Sequence, residues 1–173
     1  MLRRVTAAVV KLRSARLADL PAIVAIYNST IASRIVTAEL VPVSVESRQA
    51  WFAEHREPER PLWVSHDDAG DITGWLSLSN FNARAAYYPT AEISVYVHAR
   101  ARRQGLGRVL VQYAIDHAPL ARVDALVGLV FGHNKPSLAL FDALGFERWG
   151  HLPAVAELDG VRRDLVLVGK RLV

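Results

Sequence analysis

The chain has 173 residues, the size of one domain and enough to bury a core without a disulfide or a metal. Apolar residues make up 51%, with 10 Gly and 8 Pro, which excludes a disordered or low-complexity chain. The absence of Cys excludes a disulfide framework, a thiolate nucleophile and most structural zinc sites, and it fits a reducing cytoplasm. The net charge is +4, from 21 Lys+Arg against 17 Asp+Glu, and only Lys11, Lys135 and Lys170 are lysines. An arginine excess reads either as genomic composition or as anion recognition by guanidinium groups. Clustering decides for a local role, because Arg100, Arg102, Arg103 and Arg108 bracket Gly105 and Gly107. No apolar run reaches the ~18 residues that span a bilayer. Residues 1–10 are too weak for a signal peptide and read as a short extension of a single domain over 1–173.

In chain order, residues 9–15 read as a first strand. Asp19 reads as the N-cap of a helix with Pro21 in its first turn and Leu20, Ile23, Val24, Tyr27 and Ile31 on its buried face. A second helix is expected over 44–56, ended by Pro58 and Pro61. Strands follow over 62–66 and 72–79, joined by a hairpin at Asp67, Asp68, Gly70 and Asp71. Residues 92–98 alternate, with Ile93, Val95 and Val97 on one face and Glu92, Ser94, Tyr96 and His98 on the other. A helix over 105–117 turns Leu106, Val109, Leu110 and Tyr113 inward. The apolar run 125–131 is a strand covered on both faces. A short helix over 136–144 stops at Gly145. Strands over 146–157 and 162–168 close the chain as a hairpin turned at Leu158, Asp159 and Gly160. This order predicts an α/β layer with a mixed central sheet of about seven strands and about four helices.

The stretch Arg102-Arg103-Gln104-Gly105-Leu106-Gly107-Arg108 joins the alternating strand to a helix. A helix N-terminus offers free N–H groups and partial positive charge, and flanking arginines add charge-assisted bonds, which together suit a phosphate. Leu110 replaces the third glycine of a dinucleotide fingerprint, and no Gly-Lys-Ser/Thr follows as in a P-loop. The cluster lacks the interleaved aromatics of a nucleic-acid surface. Downstream, Asn134-Lys135-Pro136-Ser137 opens the next helix and Leu144-Gly145-Phe146 closes it.

With these two motifs in register, the chain resembles the GNAT family of N-acetyltransferases from about residue 11 to 172. Within it the chain is similar to the phosphinothricin and methionine sulfoximine acetyltransferases, through Ile26-Tyr27-Asn28, Trp51-Phe52, Arg84-Ala85-Ala86-Tyr87 and the strand from Glu92 to Val97. The resemblance implies the GNAT fold and transfer of acetyl from acetyl-CoA to the amine of a small amino acid or analogue, by direct attack and without metal. Residues 102–108 would hold the pyrophosphate, and Asn134 and Ser137 the pantetheine arm. Backbone N–H groups around Val95, Tyr96 and Val97 would face the developing oxyanion. Glu92 would take the ammonium proton, directly or through water. Asn82 and Arg84 would bind the substrate carboxylate, and Tyr27 and Tyr87 would line the amine pocket. A homodimer in the cytoplasm is implied too, with no nucleic-acid or membrane partner.

The same residues admit plainer readings. Glu92 can be a solvated strand carboxylate, Arg84 a surface cation, Tyr27 and Tyr87 core aromatics, and Asn134 an N-cap. Other acceptors, a polyamine or a protein N-terminus, and a non-catalytic acyl-CoA sensor are the rival functions. Two departures from the family pattern stand out. Phe141 occupies the place of a Tyr or His that protonates the leaving thiolate. In the segment from Glu157 to Asp164, only Gly160 and Asp164 match the herbicide-detoxifying members. The six His have no metal spacing, and His133, beside Asn134, is the one placed nearest a cleft.

Overall fold

The computed structural model describes residues 10–173, so Met1 to Val9 of the expected extension and first strand lie outside it. One seven-stranded sheet runs in the order β1-β2-β3-β4-β5-β7-β6. Its strands are β1 (Lys11–Ser14), β2 (Leu62–His66), β3 (Ile72–Asn80), β4 (Thr90–Val97), β5 (Ala125–Phe131), β6 (Glu147–Leu158) and β7 (Val161–Arg171). The helices are α1 (Leu20–Ile31), α2 (Gln49–Glu54), α3 (Leu106–His117) and α4 (Lys135–Asp142). All neighbouring strands are antiparallel except β4 and β5. The mixed α/β sheet expected from the sequence is the one observed.

Turn chemistry explains the two hairpins. Between β2 and β3, Asp67 Oδ1 accepts from the N–H groups of Ala69 and Asp71, while Gly70 takes a φ of +91°. Between β6 and β7, Asp159 and Gly160 both have positive φ, 49° and 78°, as a two-residue turn matched to strand twist requires.

Four local expectations change. Asp19 does not cap α1 through its side chain. It pairs instead with Arg13 at 2.7 and 2.9 Å and accepts from the Arg16 N–H at 2.7 Å, above a short 3-10 turn. The Arg13 guanidinium nearby outcompetes the helix end for that carboxylate. The segment expected as one helix over 44–56 is a 3-10 turn, Glu46–Arg48, leading into the six-residue α2. On α3, Val111 and Ala114 are buried and Val109 is 38% exposed, so the apolar stripe is rotated from the expected one. On β5, Leu129 is 43% exposed while its neighbours are buried.

The core lies mainly on the α3 and α4 side, where Leu76, Leu78 and Ile93 of the sheet meet Leu106, Leu110 and Phe141. A smaller cluster of Ile23, Ile26, Val64 and Trp75 holds α1 on the opposite face. What positions the site is a mismatch in pairing length. β4 stays bonded to β3 as far as Gly74↔Val97, but it pairs with β5 only at Thr90↔Ala125, Ala91↔Leu126 and Glu92↔Val127. β5 continues along β7 to Phe131↔Leu165. The sheet therefore splits just beyond Glu92, and one edge of β4 from Ile93 onward carries main-chain groups free of strand pairing.

Candidate active site

The alternation of β4 sends Glu92, Ser94 and Tyr96 to the α1 face, where the register sets Ser79, Ser77 and Trp75 of β3 beside them. A cavity of about 210 Å³ opens above this floor. Ile23, Val24 and Tyr27 of α1 wall it, with Trp51 of α2, Val43 of the connecting loop, and Arg48. Trp75 fixes the wall to the floor: its Nε1 donates to the Ile23 carbonyl at 3.1 Å and its ring stacks on Tyr96 at 4.5 Å. The loop over 32–45 closes the top. Asn28 bonds both ways to the Val43 backbone, at 2.9 and 3.0 Å, and Tyr27 and Thr37 share a hydroxyl hydrogen bond of 2.6 Å. The same loop is tied outward through Arg34, which pairs with Asp159 at 2.7 Å and whose carbonyl accepts from His133 Nε2 at 2.7 Å.

The cavity is electrostatically polarised. Glu92 is half-buried and lies in no ion pair among the described residues, so burial alone pushes its carboxyl above the ordinary glutamate range. Burial also pushes the Tyr96 phenol up, reinforced by Tyr27 and Glu92 and opposed by Thr37 and Arg48. Tyr96 therefore keeps its proton at neutral pH and lies within range of both charges. Arg48 stacks its guanidinium over Tyr27 at 5.1 Å and reaches Glu39 through Nη2 at 3.0 Å.

Beyond the split, the loop after β4 turns into α3. Arg103 and Gly105 take positive φ, 59° and 80°, so Gly105 serves the turn itself. Gly107 serves packing, since a Cβ there would come within 3.3 Å of Leu140 on α4. Arg103 and Arg108 are exposed and in no ion pair among the described residues. Arg102 donates to the Val97 carbonyl at 3.2 Å, and Gln104 to the Arg100 carbonyl at 2.9 Å. Arg100 leaves the expected cluster. It pairs with Asp67 at 3.0 Å and Asp71 at 3.4 Å on the β2–β3 turn, and its charge is spent there. A twelve-residue helix with Arg108 in its first turn and Arg103 in the turn before it, beside an unpaired strand edge, fits a long phosphorylated thioester.

The model of the acetyltransferase (GNAT) family matches residues 24–146. This chain belongs to that family. It is 48% identical over 161 residues to YwnH of Bacillus subtilis, provisionally named a phosphinothricin acetyltransferase, covering 93% of this chain and 98% of that one. It is 34% identical over 157 residues to the L-methionine sulfoximine/L-methionine sulfone acetyltransferase of Pseudomonas aeruginosa, covering 91% of each. Among solved structures, a phosphinothricin acetyltransferase of Sinorhizobium meliloti in complex with acetyl-CoA superposes with a TM-score of 0.88 at 28% identity, covering 94% of this chain and 88% of that one. The chain is thus a GNAT acetyltransferase of the phosphinothricin acetyltransferase type.

In this acetyltransferase the expected residues fall into four groups. Glu92, Tyr27 and Tyr96 meet in the cavity. Val95 and Val97 lie on the same strand beyond the split, and residues 102–108 follow it. Asn134 is only 5% exposed and caps α4, accepting from the Ser137 N–H at 3.2 Å, so its structural reading holds whatever else it binds. Asn82, Arg84 and Tyr87 sit apart, exposed in the loop joining β3 to β4, and none lines the cavity. There Asn82 accepts from the Arg84 N–H at 3.0 Å and Tyr87 packs against Phe81. Sequence reasoning missed Arg48, Trp75, Ser77 and Ser94. The last three could have been found by pairing β3 with β4. Arg48 had no local signal, because it enters through the fold of the α1–α2 segment. Phe141 is buried against Phe146 at 4.8 Å, and His133 keeps its Nδ1 buried without a partner. No group of three or more potential metal ligands occurs among the described residues, and none of their helices is long and apolar enough to cross a membrane.

Proposed function

We propose that the enzyme acetylates the α-amine of a small amino acid or analogue of the phosphinothricin, methionine sulfoximine or methionine sulfone kind. Acetyl-CoA supplies the acyl group when bound, with Arg102, Arg103 and Arg108 and the residues 104–107 between them beside its pyrophosphate and Asn134 and Ser137 beside its pantetheine arm. The observation that carries the reading is Glu92. It is a carboxylate made more basic by burial, unpaired by any cation among the described residues, and set at the point where β4 leaves β5. It accepts the proton of the bound ammonium, directly or through one water. The free amine then attacks the thioester carbonyl. Main-chain N–H groups of the strand over Val95 to Val97 face the negative charge that develops there, with no acyl-enzyme stage, in keeping with the absence of Cys.

Trp149, Leu152 and Val155 are 43%, 44% and 54% exposed on β6, the edge strand, and these exposed apolar side chains support assembly as a homodimer. The function is tested by thiol release from acetyl-CoA with methionine sulfone, methionine sulfoximine, phosphinothricin, the common amino acids, spermidine and a short peptide as acceptors. Turnover is expected with the first group. Preference for spermidine or the peptide overturns the substrate assignment.

A further inference from the structure

We propose that Arg60 is a positioning residue: it holds the loop joining β3 to β4 in the form that presents Asn82 and Arg84 to the acceptor. This deepens the reading above and rests on it. The loop over 81–89 leaves β3 at Asn80 and enters β4 at Thr90, and the pairs Asn80↔Ala91 and Ser79↔Glu92 close its base. Both ends of the loop therefore lie beside the carboxylate that takes the ammonium proton. Between them Arg84 is exposed and in no ion pair among the described residues, which leaves its charge for a substrate anion.

An exposed loop keeps one shape only if its base is fixed, and Arg60 fixes it. Arg60 lies just before β2 and is 6% exposed. Its Nε donates to Asn80 Oδ1 at one end of the loop, and its Nη2 donates to the Tyr88 carbonyl at the other, both at 2.7 Å. Nη1 donates to the Glu59 carbonyl at 2.7 Å, and the guanidinium lies over the Tyr88 ring at 4.4 Å. From Tyr88 the tie continues through the loop. The Tyr88 N–H donates to the Ala85 carbonyl at 3.1 Å and the Tyr87 N–H to the Arg84 carbonyl at 3.0 Å. The Arg84 N–H in turn donates to Asn82 Oδ1 at 3.0 Å. Arg60 is in no ion pair among the described residues, and burial pushes its pKa down against the opposing pull of Tyr88 and Glu59. A buried cation answered only by carbonyl oxygens and a ring face is costly to keep. Beyond its neighbour Glu59, its hydrogen bonds all go to the two ends of this loop. A planar fork spans both ends at once, which the single ammonium of a lysine does not.

The test measures kcat and KM for the best amino-acid acceptor, and KM for acetyl-CoA, in wild type, Arg60→Lys, Asn80→Ala, Arg84→Met and the double variant Arg60→Lys with Arg84→Met. Arg60→Lys keeps the buried charge and loses the fork, and it is expected to raise the acceptor KM about tenfold or more. The acetyl-CoA KM is expected to stay within about twofold of wild type, since the loop does not join the cofactor residues. Asn80→Ala removes one exposed partner and leaves the core intact, so it is expected to move the acceptor KM in the same direction by a smaller factor. In the Arg84→Met background, Arg60→Lys is expected to add less than about twofold, because its effect runs through the residue already removed. The proposal is overturned if Arg60→Lys and Asn80→Ala both keep the wild-type acceptor KM. It is overturned too if the KM values of both substrates rise equally, which marks general loosening of the fold, or if the effects of Arg60→Lys and Arg84→Met multiply in full. A wild type that releases no thiol with any amine overturns the proposed function itself.

Discussion

Replacing Glu92 by Gln separates chemistry from folding. The side chain is nearly isosteric, and the strand pairings on either side, Ser79↔Glu92 and Glu92↔Val127, are made by the main chain and survive the change. A general base typically contributes 10²–10⁴-fold, which is about 3 to 5 kcal/mol of barrier at 1.36 kcal/mol per decade. The variant is therefore expected to lose at least 100-fold in kcat/KM at neutral pH while binding acetyl-CoA as before. Stability moves the other way. Burial raises the Glu92 pKa in the folded state, so the folded chain holds this proton more tightly than the unfolded one. The destabilising contribution is absent below the ordinary glutamate value of about 4.3 and fully present above the folded value. At neutral pH a neutral Gln removes it, and the melting temperature is expected to stay level or rise. Wild type is also expected to show a rising limb in kcat/KM above the ordinary glutamate range, absent from the variant, whereas the limb set by the amine itself persists. Thiol release from about pH 4 to 9, calorimetry and acetyl-CoA titration measure all three. Full activity of the variant across that range refutes the base assignment, and a lowered melting temperature refutes the electrostatic argument.

Arg103→Ala and Arg108→Ala each remove an exposed, unpaired cation from the start of α3. Each is expected to raise KM for acetyl-CoA about tenfold with kcat little changed, an effect that shrinks in high salt. An unchanged KM with reduced kcat contradicts the phosphate role. Asp19→Asn breaks the two-bond pair with Arg13 and is expected to destabilise the fold by about 1 kcal/mol at neutral pH. Arg13 holds the Asp19 carboxyl below its ordinary range, so this contribution is present above the usual carboxylate value and lost as pH falls through the folded one. Urea titrations at pH 7 and below pH 3 should show the difference vanish at the lower pH. Phe141→Ala leaves a void between Phe146 and Gly128 and is expected to cost about 3 to 5 kcal/mol. A loss under 1 kcal/mol in chemical denaturation would mean that α4 collapses into the space.

The elements with a strong local signature were legible along the chain. The run from Ala125 to Phe131 is β5 to the residue, and the Asp159-Gly160 turn sits where two residues of positive φ were needed. The motif around Gly105 stood out because a left-handed turn and a helix start leave a mark in composition. The alternation of β4 placed Glu92, Ser94 and Tyr96 on one face, since side-chain direction in a strand depends only on parity. Composition likewise exposed the arginine cluster, but not which of its members stay free. The tertiary structure alone took Arg100 out of that cluster, because its acidic partners lie about thirty residues earlier on a neighbouring hairpin. It also withdrew Asp19 from the helix cap and carried Arg48 rather than Arg84 to the cavity wall. Charge pairing and cavity walls are formed between segments distant in sequence, and a side chain's partner there is set by how the segments pack. Local pattern decides what each element is, and packing decides which charges meet.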